Sequence, residues 1–287
     1  MKTAEYGPQS GMPKTDRNPG RTNLPGEAGR RLNWRPWILG FLVLGSLVTA
    51  LVLPRIGQDP GYFNFADRRE IAGVPNFWDV VTNVPFLFIG IAGVLWCGRR
   101  ERSESRFAWL AMFAGIASIG PGSAYFHWNP NVDTLVWDRS SLACGFMGFF
   151  LAVLGERIDP RWGRVWVLPA LALGVGSVLI GYVFDDLRLY GWVQFMPMLV
   201  LPLVLLLYPS RYTHGWIMGG ALGVYALAKV AELLDGPFLA LTGGLIAGHA
   251  VKHLLGAVAC FMLLRMLIRR APRAGALANV ESQRWLR

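Results

Sequence analysis

Apolar residues in this chain are gathered into long runs, neither spaced three and four apart as on an amphipathic surface helix nor alternating as in a strand. Runs of near span length extend over about Trp37 to Leu53, Val80 to Cys97, Phe107 to Phe126, Ser140 to Leu154, Val165 to Phe184, Trp192 to Tyr208, Trp216 to Leu234 and Leu245 to Ile268. The pattern predicts eight helices and an all-α, polytopic membrane protein. Composition agrees: 53% of the 287 residues are hydrophobic and 16% are charged, with a mean hydropathy of +0.37.

The formal charge of +10 does not mark a nucleic-acid binder, because the basic residues fall in alternate loops instead of one patch. Such a bias reports orientation. Lys2, Lys14, Arg17, Arg21, Arg30, Arg31 and Arg35 precede the first span; Arg99, Arg100, Arg102 and Arg106 follow the second; Arg157, Arg161 and Arg164 follow the fourth; Arg211 follows the sixth. Arg265, Arg269, Arg270 and Arg273 close the eighth. Both termini are therefore expected in the cytoplasm. The loop Trp128 to Trp137 and the turn Asp235 to Gly244 carry no Lys or Arg and are expected outside, as is the turn Asp185 to Tyr190, which carries only Arg188. The outer segment Arg55 to Asn76 dissents, its Arg68 and Arg69 being offset by Asp67 and Glu70.

Met1 to Asn33 is rich in Pro, Gly, Arg and Thr with almost no aliphatic residues, too little apolar surface to order a segment. The first span is longer than the apolar core of a usual signal peptide and follows a long tail, so an uncleaved anchor is favoured. Cys97, Cys144 and Cys260 lie in or at the end of spans without a C-x-x-C spacing and are expected as buried thiols.

Ionisable and polar residues inside the runs are few, and they converge. Ser123-x-x-x-His127 ends the third span, Asp138 precedes the fourth, and His249-x-x-x-His253 opens the eighth. Residues four apart share one helical face. With the N-terminus inside, these positions all fall near the outer face, as do Asp79 and Asn83 at the start of the second span; the outer loop between His127 and Asp138, about ten residues, is an ordinary length. Any one histidine could be only an interhelical hydrogen-bond partner, Ser123 a packing residue and Asp138 a helix N-cap. Three histidines at one depth favour a site instead.

Three neutral imidazoles suit zinc with an open fourth position, where the pKa of water falls to about 7. Asp138 would move the proton between water and leaving group, and Ser123 would donate a hydrogen bond to a developing oxyanion. His214, in an inner loop, is expected to be solvated. A site in the outer leaflet of a helix bundle suits a lipid substrate, although the aromatic content is also what interfacial belts and bundle cores require.

These motifs resemble those of the alkaline ceramidases, within the wider group of seven-helix membrane hydrolases that includes adiponectin-type receptors. The likeness spans roughly Asp67 to Ile268: S-x-x-x-H, an Asp eleven residues on and a final H-x-x-x-H, met by Ser123, His127, Asp138, His249 and His253, with Asn76-Phe77-Trp78-Asp79-Val80-Val81-Thr82-Asn83 similar to the family's F-W-N-x-x-S-N entry. The resemblance implies a zinc-dependent hydrolase cleaving the amide of ceramide to a sphingoid base and a fatty acid, with zinc on His127, His249 and His253. It also implies a division into residues 1–36 as a disordered basic cytoplasmic tail, 37–54 as an additional transmembrane helix, 67–270 as the seven-helix hydrolase domain and 271–287 as a C-terminal cytoplasmic tail. Animal members carry Trp where this chain has Lys252, which either snorkels to the interface or binds an anionic lipid. They also hold calcium in an acidic segment, and the resemblance gives Asp67, Glu70 and Asn76 as the possible calcium ligands, with Ala72 in place of the family's Asn and Asn76 in place of its Glu; calcium suits such hard oxygen ligands, and a solvated charge run is the alternative. Lys229 and Glu232 are expected to pair.

Hydrolysis of another lipid ester or amide, and a non-catalytic metal-containing receptor, remain the alternatives. A bacterial inner membrane is the expected location, with the site near its outer face.

Overall fold

The computed structural model describes residues 34–273, so the expected tails of residues 1–33 and 274–287 lie outside the described residues. The described chain is helical almost throughout: α1 (Trp34–Val52), α2 (Phe77–Val81), α3 (Val84–Arg99), α4 (Arg106–Trp128), α5 (Val132–Arg157), α6 (Pro160–Arg164), α7 (Val167–Phe184), α8 (Arg188–Leu207), α9 (Ile217–Leu233), α10 (Asp235–Leu241) and α11 (Gly248–Arg269). Each of the eight apolar runs falls on a long helix, the second on α2 and α3 together. Among the described residues six helical spans are long and apolar enough to cross a membrane, or seven if α9 and α10, bent by 84°, count together as one broken span. The chain is an all-α, polytopic membrane protein.

The eighth long helix, α5, is too polar to pass that test because it sits at the centre of the bundle. It packs against α4, α7 and α8, and its inner residues, among them Leu151, Ala152 and Val153, are almost inaccessible. A helix surrounded by protein has no need of an apolar surface for lipid, so Asp133, Asp138, Arg139, Glu156 and Arg157 are tolerated on it. For the same reason the sequence pattern places its start too late: α5 begins at Val132, not near Ser140. Asn131 fixes that start, its side chain accepting from the backbone N–H of Asp133 (2.9 Å) and Thr134 (3.0 Å), while Thr134 Oγ1 accepts from Asn131 N–H (3.2 Å), a reciprocal cap that satisfies orphan donors of the first turn. The loop after α4 is consequently three residues, Asn129 to Asn131, and Asp138 lies inside α5, which removes the N-cap alternative for it.

α1 buries one residue, Leu39, and exposes Trp37, Phe41, Leu44 and Val48, an apolar surface suited to lipid. Its C-terminus is tied to the start of α8 by Arg188, which donates to the carbonyls of Leu51 (2.9 Å) and Leu53 (2.7 Å).

The end of the bundle that holds the C-terminus of α11 is closed by a buried ion cluster. Arg270 pairs with Glu101 (3.0 Å) and Glu156, all three side chains at most 6% exposed, and Trp109 Nε1 donates to Glu156 (2.6 Å). The Arg270 guanidinium also lies over the rings of Tyr212 (4.2 Å) and Trp109 (5.6 Å). His214 is an exposed residue of the loop beside this cluster, as its sequence position indicates. Cys97, Cys144 and Cys260 are free thiols.

Candidate metal centre

At the opposite end the structure brings His127, from the last turn of α4, against His249 and His253 from the first turns of α11. The ring centroids form a nearly equilateral triangle, 4.8 Å, 5.0 Å and 5.0 Å apart, and one donor atom from each ring lies within 4.8 Å of the other two. All three residues are at most 5% exposed. Phe65, from the segment between α1 and α2, closes one side with its ring 4.8 Å from those of His127 and His249.

Several local devices hold this geometry. Asp235, at the bend between α9 and α10, accepts from the backbone N–H of His249 (2.7 Å) and of Ala66 (2.9 Å). One carboxylate thus ties the start of α11, the α9–α10 bend and the segment carrying Phe65 together. Gly248 permits the approach: a Cβ there would overlap the backbone of Ala231, Leu234 and Asp235. Asn76, at φ 45°, donates its side-chain N–H to the backbone carbonyl of His127 (2.8 Å), joining the break before α2 to the end of α4.

The histidines have the surroundings of metal ligands. Thr82 Oγ1 is 2.6 Å from the carbonyl of Trp78 and 3.0 Å from His253 Nδ1. A hydroxyl has one proton; with that proton on Trp78, Thr82 accepts from His253 Nδ1–H, a tautomer assigned from the network that leaves the Nε2 lone pair free. Such an outer hydrogen bond is the usual companion of a ligating imidazole. Among the described residues His127 Nδ1 and both carboxylate oxygens of Asp79 are buried without a hydrogen-bond partner. Buried polar atoms are rarely left so, and a bound cation at this end would offset an orphaned nitrogen and carboxylate together. The donor set therefore fits a divalent ion preferring nitrogen ligands.

Ser123, Asp138, His249 and His253 line one cavity of about 830 Å³, which runs from the histidines between α4, α5, α8, α9 and α11 to Ala50 of α1 and Leu53 just beyond it. Its deeper walls are apolar, with Phe86, Ile116, Phe149 and Leu263 among them. Ser123 is within hydrogen-bonding reach of the Asp138 carboxylate. The sequence-expected catalytic pair and the histidines thus open onto the same space.

Two expectations change. Lys252 does not snorkel: its ammonium is directed into the cavity, 3.0 Å from Glu232 Oε1 and 2.8 Å from His249 Nε2, and the side chain is 20% exposed. Glu232 also pairs with Lys229, as their spacing predicts. The calcium set is not assembled either. Asp67 is clasped by Arg69, whose Nε and Nη2 reach its two oxygens at 2.8 Å and 2.6 Å; that guanidinium hydrogen bond holds the Asp67 carboxyl below its ordinary value. Glu70 is exposed, and Asn76 is fastened by its side-chain N–H to the carbonyl of His127 at the end of α4. Among the described residues the histidine trio is the one group of three or more His, Cys, Asp or Glu arranged to hold a metal.

Sequence reasoning missed Asp235, Phe65 and Thr82, which act on the site through tertiary contacts alone. It also missed the pairing of Lys252 with Glu232, twenty positions apart on different helices.

Fold and site together define a polytopic helical membrane protein with a buried three-histidine cluster able to hold a metal ion. Neither a protein-family model nor a curated protein matches the sequence.

Proposed function

We propose that this protein is a metal-dependent hydrolase of lipid acyl bonds, with zinc on His127, His249 and His253 and with a long-chain amide of the ceramide type as the substrate that the motif resemblance implies. The observation that carries the proposal is the joining of a buried three-imidazole cluster to a largely apolar cavity that also holds Ser123 and Asp138. When bound, a divalent ion supplies Lewis acidity, lowering the pKa of water and polarising an acyl carbonyl. The apolar walls receive the acyl chain and exclude bulk water from the polar end. Asp138 accepts a proton from the attacking water and delivers it to the leaving nitrogen. Ser123 orients Asp138 in the free protein and donates to the carbonyl oxygen as charge develops there. A serine nucleophile is disfavoured, since each histidine near Ser123 belongs to the metal cluster and none is left as its base.

The charge bias of the loops supports a site near the outer face with both termini in the cytoplasm, and a bacterial inner membrane is the setting we propose. Ceramide over another lipid ester or amide rests on the motifs alone.

The test is a lipid panel incubated with purified full-length protein, metal-replete or chelated, and read by mass spectrometry. About one zinc per chain is expected, with release of fatty acid from ceramide that chelation abolishes and zinc restores. Asp138→Asn should retain the metal and lose roughly 10²- to 10⁴-fold in kcat, the usual contribution of a positioned acid or base. Wild-type turnover in that variant refutes the mechanism. Bound metal with no turnover on any lipid points to a receptor-like protein instead.

A further inference from the structure

Four Lys and Arg side chains line the cavity: Arg139, Arg188, Lys229 and Lys252. Arg188 pairs with Asp186 (2.7 Å), and the two lysines share Glu232. Arg139 differs, forming no ion pair with any described carboxylate. It follows Asp138 on α5, is half-buried, and its guanidinium lies over the rings of Tyr190 (4.9 Å) and Tyr62 (5.2 Å).

Arg270, at the other end of the bundle, shows what this arrangement is capable of. It too is set against two aromatic rings, and there its N–H groups grip two carboxylates. Aromatic faces hold a guanidinium by its plane and leave the edge, where the donors point, for a bidentate carboxylate or phosphate. At Arg139 no carboxylate among the described residues meets that edge, and Arg139 lines the cavity together with Asp138. A cation drawn partly out of water costs free energy unless an anion or an acceptor meets it.

We infer that the cavity selects acyl lipids bearing an anionic group, a carboxylate or a phosphate, on the polar side of the scissile bond, with Arg139 receiving that group. The inference rests on the hydrolase reading of the same site and specifies its substrate class. In the reaction water adds its oxygen to the acyl carbon, the C–N bond breaks, and the proton passes to the leaving nitrogen. The anionic group emerges unchanged on the amine product. Because Arg139 and Asp138 line the same cavity, a lipid held by its anion would present the neighbouring amide to the acid and base.

The experiment compares three amides of matched acyl chain with the zinc-loaded full-length protein in micelles: ceramide, N-palmitoylserine and ceramide 1-phosphate. At least one anionic amide should exceed ceramide in kcat/KM by about tenfold, the scale of one charge-assisted hydrogen-bond pair; which of them does so separates carboxylate from phosphate. Arg139→Gln should bring that ratio close to one, mainly by raising KM for the anionic amide, and Arg139→Lys should restore it only in part because an ammonium lacks the fork. Zinc content equal to wild type certifies that the variants are folded. The inference is overturned if ceramide is the best substrate, or if Arg139→Gln lowers all three amides by the same factor. Should no amide be cleaved, the hydrolase reading fails, and equilibrium binding of radiolabelled N-palmitoylserine and ceramide 1-phosphate decides the role of Arg139: about tenfold weaker binding of either in Arg139→Gln upholds anion recognition, and equal affinity for both refutes it.

Discussion

Gly248→Ala should weaken metal binding without touching a ligand. Gly248 immediately precedes His249, and an added Cβ would overlap the carbonyl oxygens of Ala231 and Leu234 and the Cα of Asp235. These are backbone atoms at the α9–α10 bend, which cannot rotate aside as a side chain does. The strain of overpacking is typically about 1–3 kcal/mol, and it is relieved by moving α11 away from the bend. That movement stretches the 2.7 Å hydrogen bond from His249 N–H to Asp235 and withdraws His249, and through the helix His253, from His127. If the strain is felt wholly in the metal-bound state, about 1–3 kcal/mol corresponds to a loss of roughly 5- to 150-fold in affinity. Competition with a chelator of known affinity measures it. Gly176→Ala is the control, because a Cβ at that helical position meets nothing within 4 Å. Wild-type zinc affinity in Gly248→Ala, with an unchanged unfolding temperature, would refute the idea that close packing of α11 on the bend sets the histidine geometry.

Other perturbations separate the two ends of the bundle. Arg270→Leu leaves Glu101 and Glu156 buried without their cation, a change that costs about 3–5 kcal/mol in comparable cases; thermal unfolding in detergent should show it, while zinc affinity stays near wild type. Glu232→Gln leaves Lys229 and Lys252 without a counter-ion beside His249, so zinc affinity should fall, as the same chelator competition would show, because an uncompensated ammonium repels a dication. Asp67 has its carboxyl held low by Arg69, so its contribution to stability is complete above the ordinary value of 3.8 and is lost as pH falls through the lower folded value. Asp67→Asn should therefore differ from wild type in unfolding temperature at neutral pH and converge with it in acid; a constant difference down to pH 2 would contradict the pairing.

The helices were legible because lipid imposes a one-dimensional rule, a long apolar run for each crossing, and seven of the eight long helices obey it. α5 departs from it where tertiary context overrides the pattern: surrounded by other helices, it keeps Asp133, Asp138 and Arg139 in its first turns, and hydropathy therefore placed its start eight residues late. The histidine cluster was legible for a related reason. Intramembrane histidines are scarce enough that three at one depth imply a meeting, and i,i+4 spacing fixes two of them on one face. Asp235 gave no such signal, because an acidic residue in a polar turn is ordinary; only coordinates show it bonded to His249 N–H and Ala66 N–H. Lys252 misled for the opposite reason, since a lysine near a helix end usually reaches for the interface, whereas Glu232 on the adjacent helix draws this one inward. The acidic segment Asp67 to Glu70 matched a calcium-binding pattern in one dimension, but with Arg69 between the carboxylates the nearest cation is a guanidinium.

Buried charge at both ends raises the question of which cluster is a site and which is a fastening. Arg270, Glu101 and Glu156 satisfy one another, Trp109 supplies a further donor, and none of the four residues borders the cavity. A cluster complete in itself and closed to ligand does structural work; its loss should lower the unfolding temperature and leave zinc binding intact. At the histidine end groups are left unmet: among the described residues His127 Nδ1 and the oxygens of Asp79 have no hydrogen-bond partner and Arg139 forms no ion pair, and a cavity of about 830 Å³ is lined by Arg139 and by His249 and His253 of the same cluster. Folding alone would select against such unmet groups, because each costs free energy when buried. Their persistence on one side of one cavity is accounted for if a cation and an anionic, acyl-bearing molecule are what complete them. The two ends should therefore respond differently to added zinc. Zinc should raise the unfolding temperature of wild type and of Arg270→Leu by similar amounts, since binding free energy adds to folding free energy wherever the site is intact, and it should do nothing for His127→Ala. Equal stabilisation of His127→Ala by zinc would mean that the ion binds elsewhere.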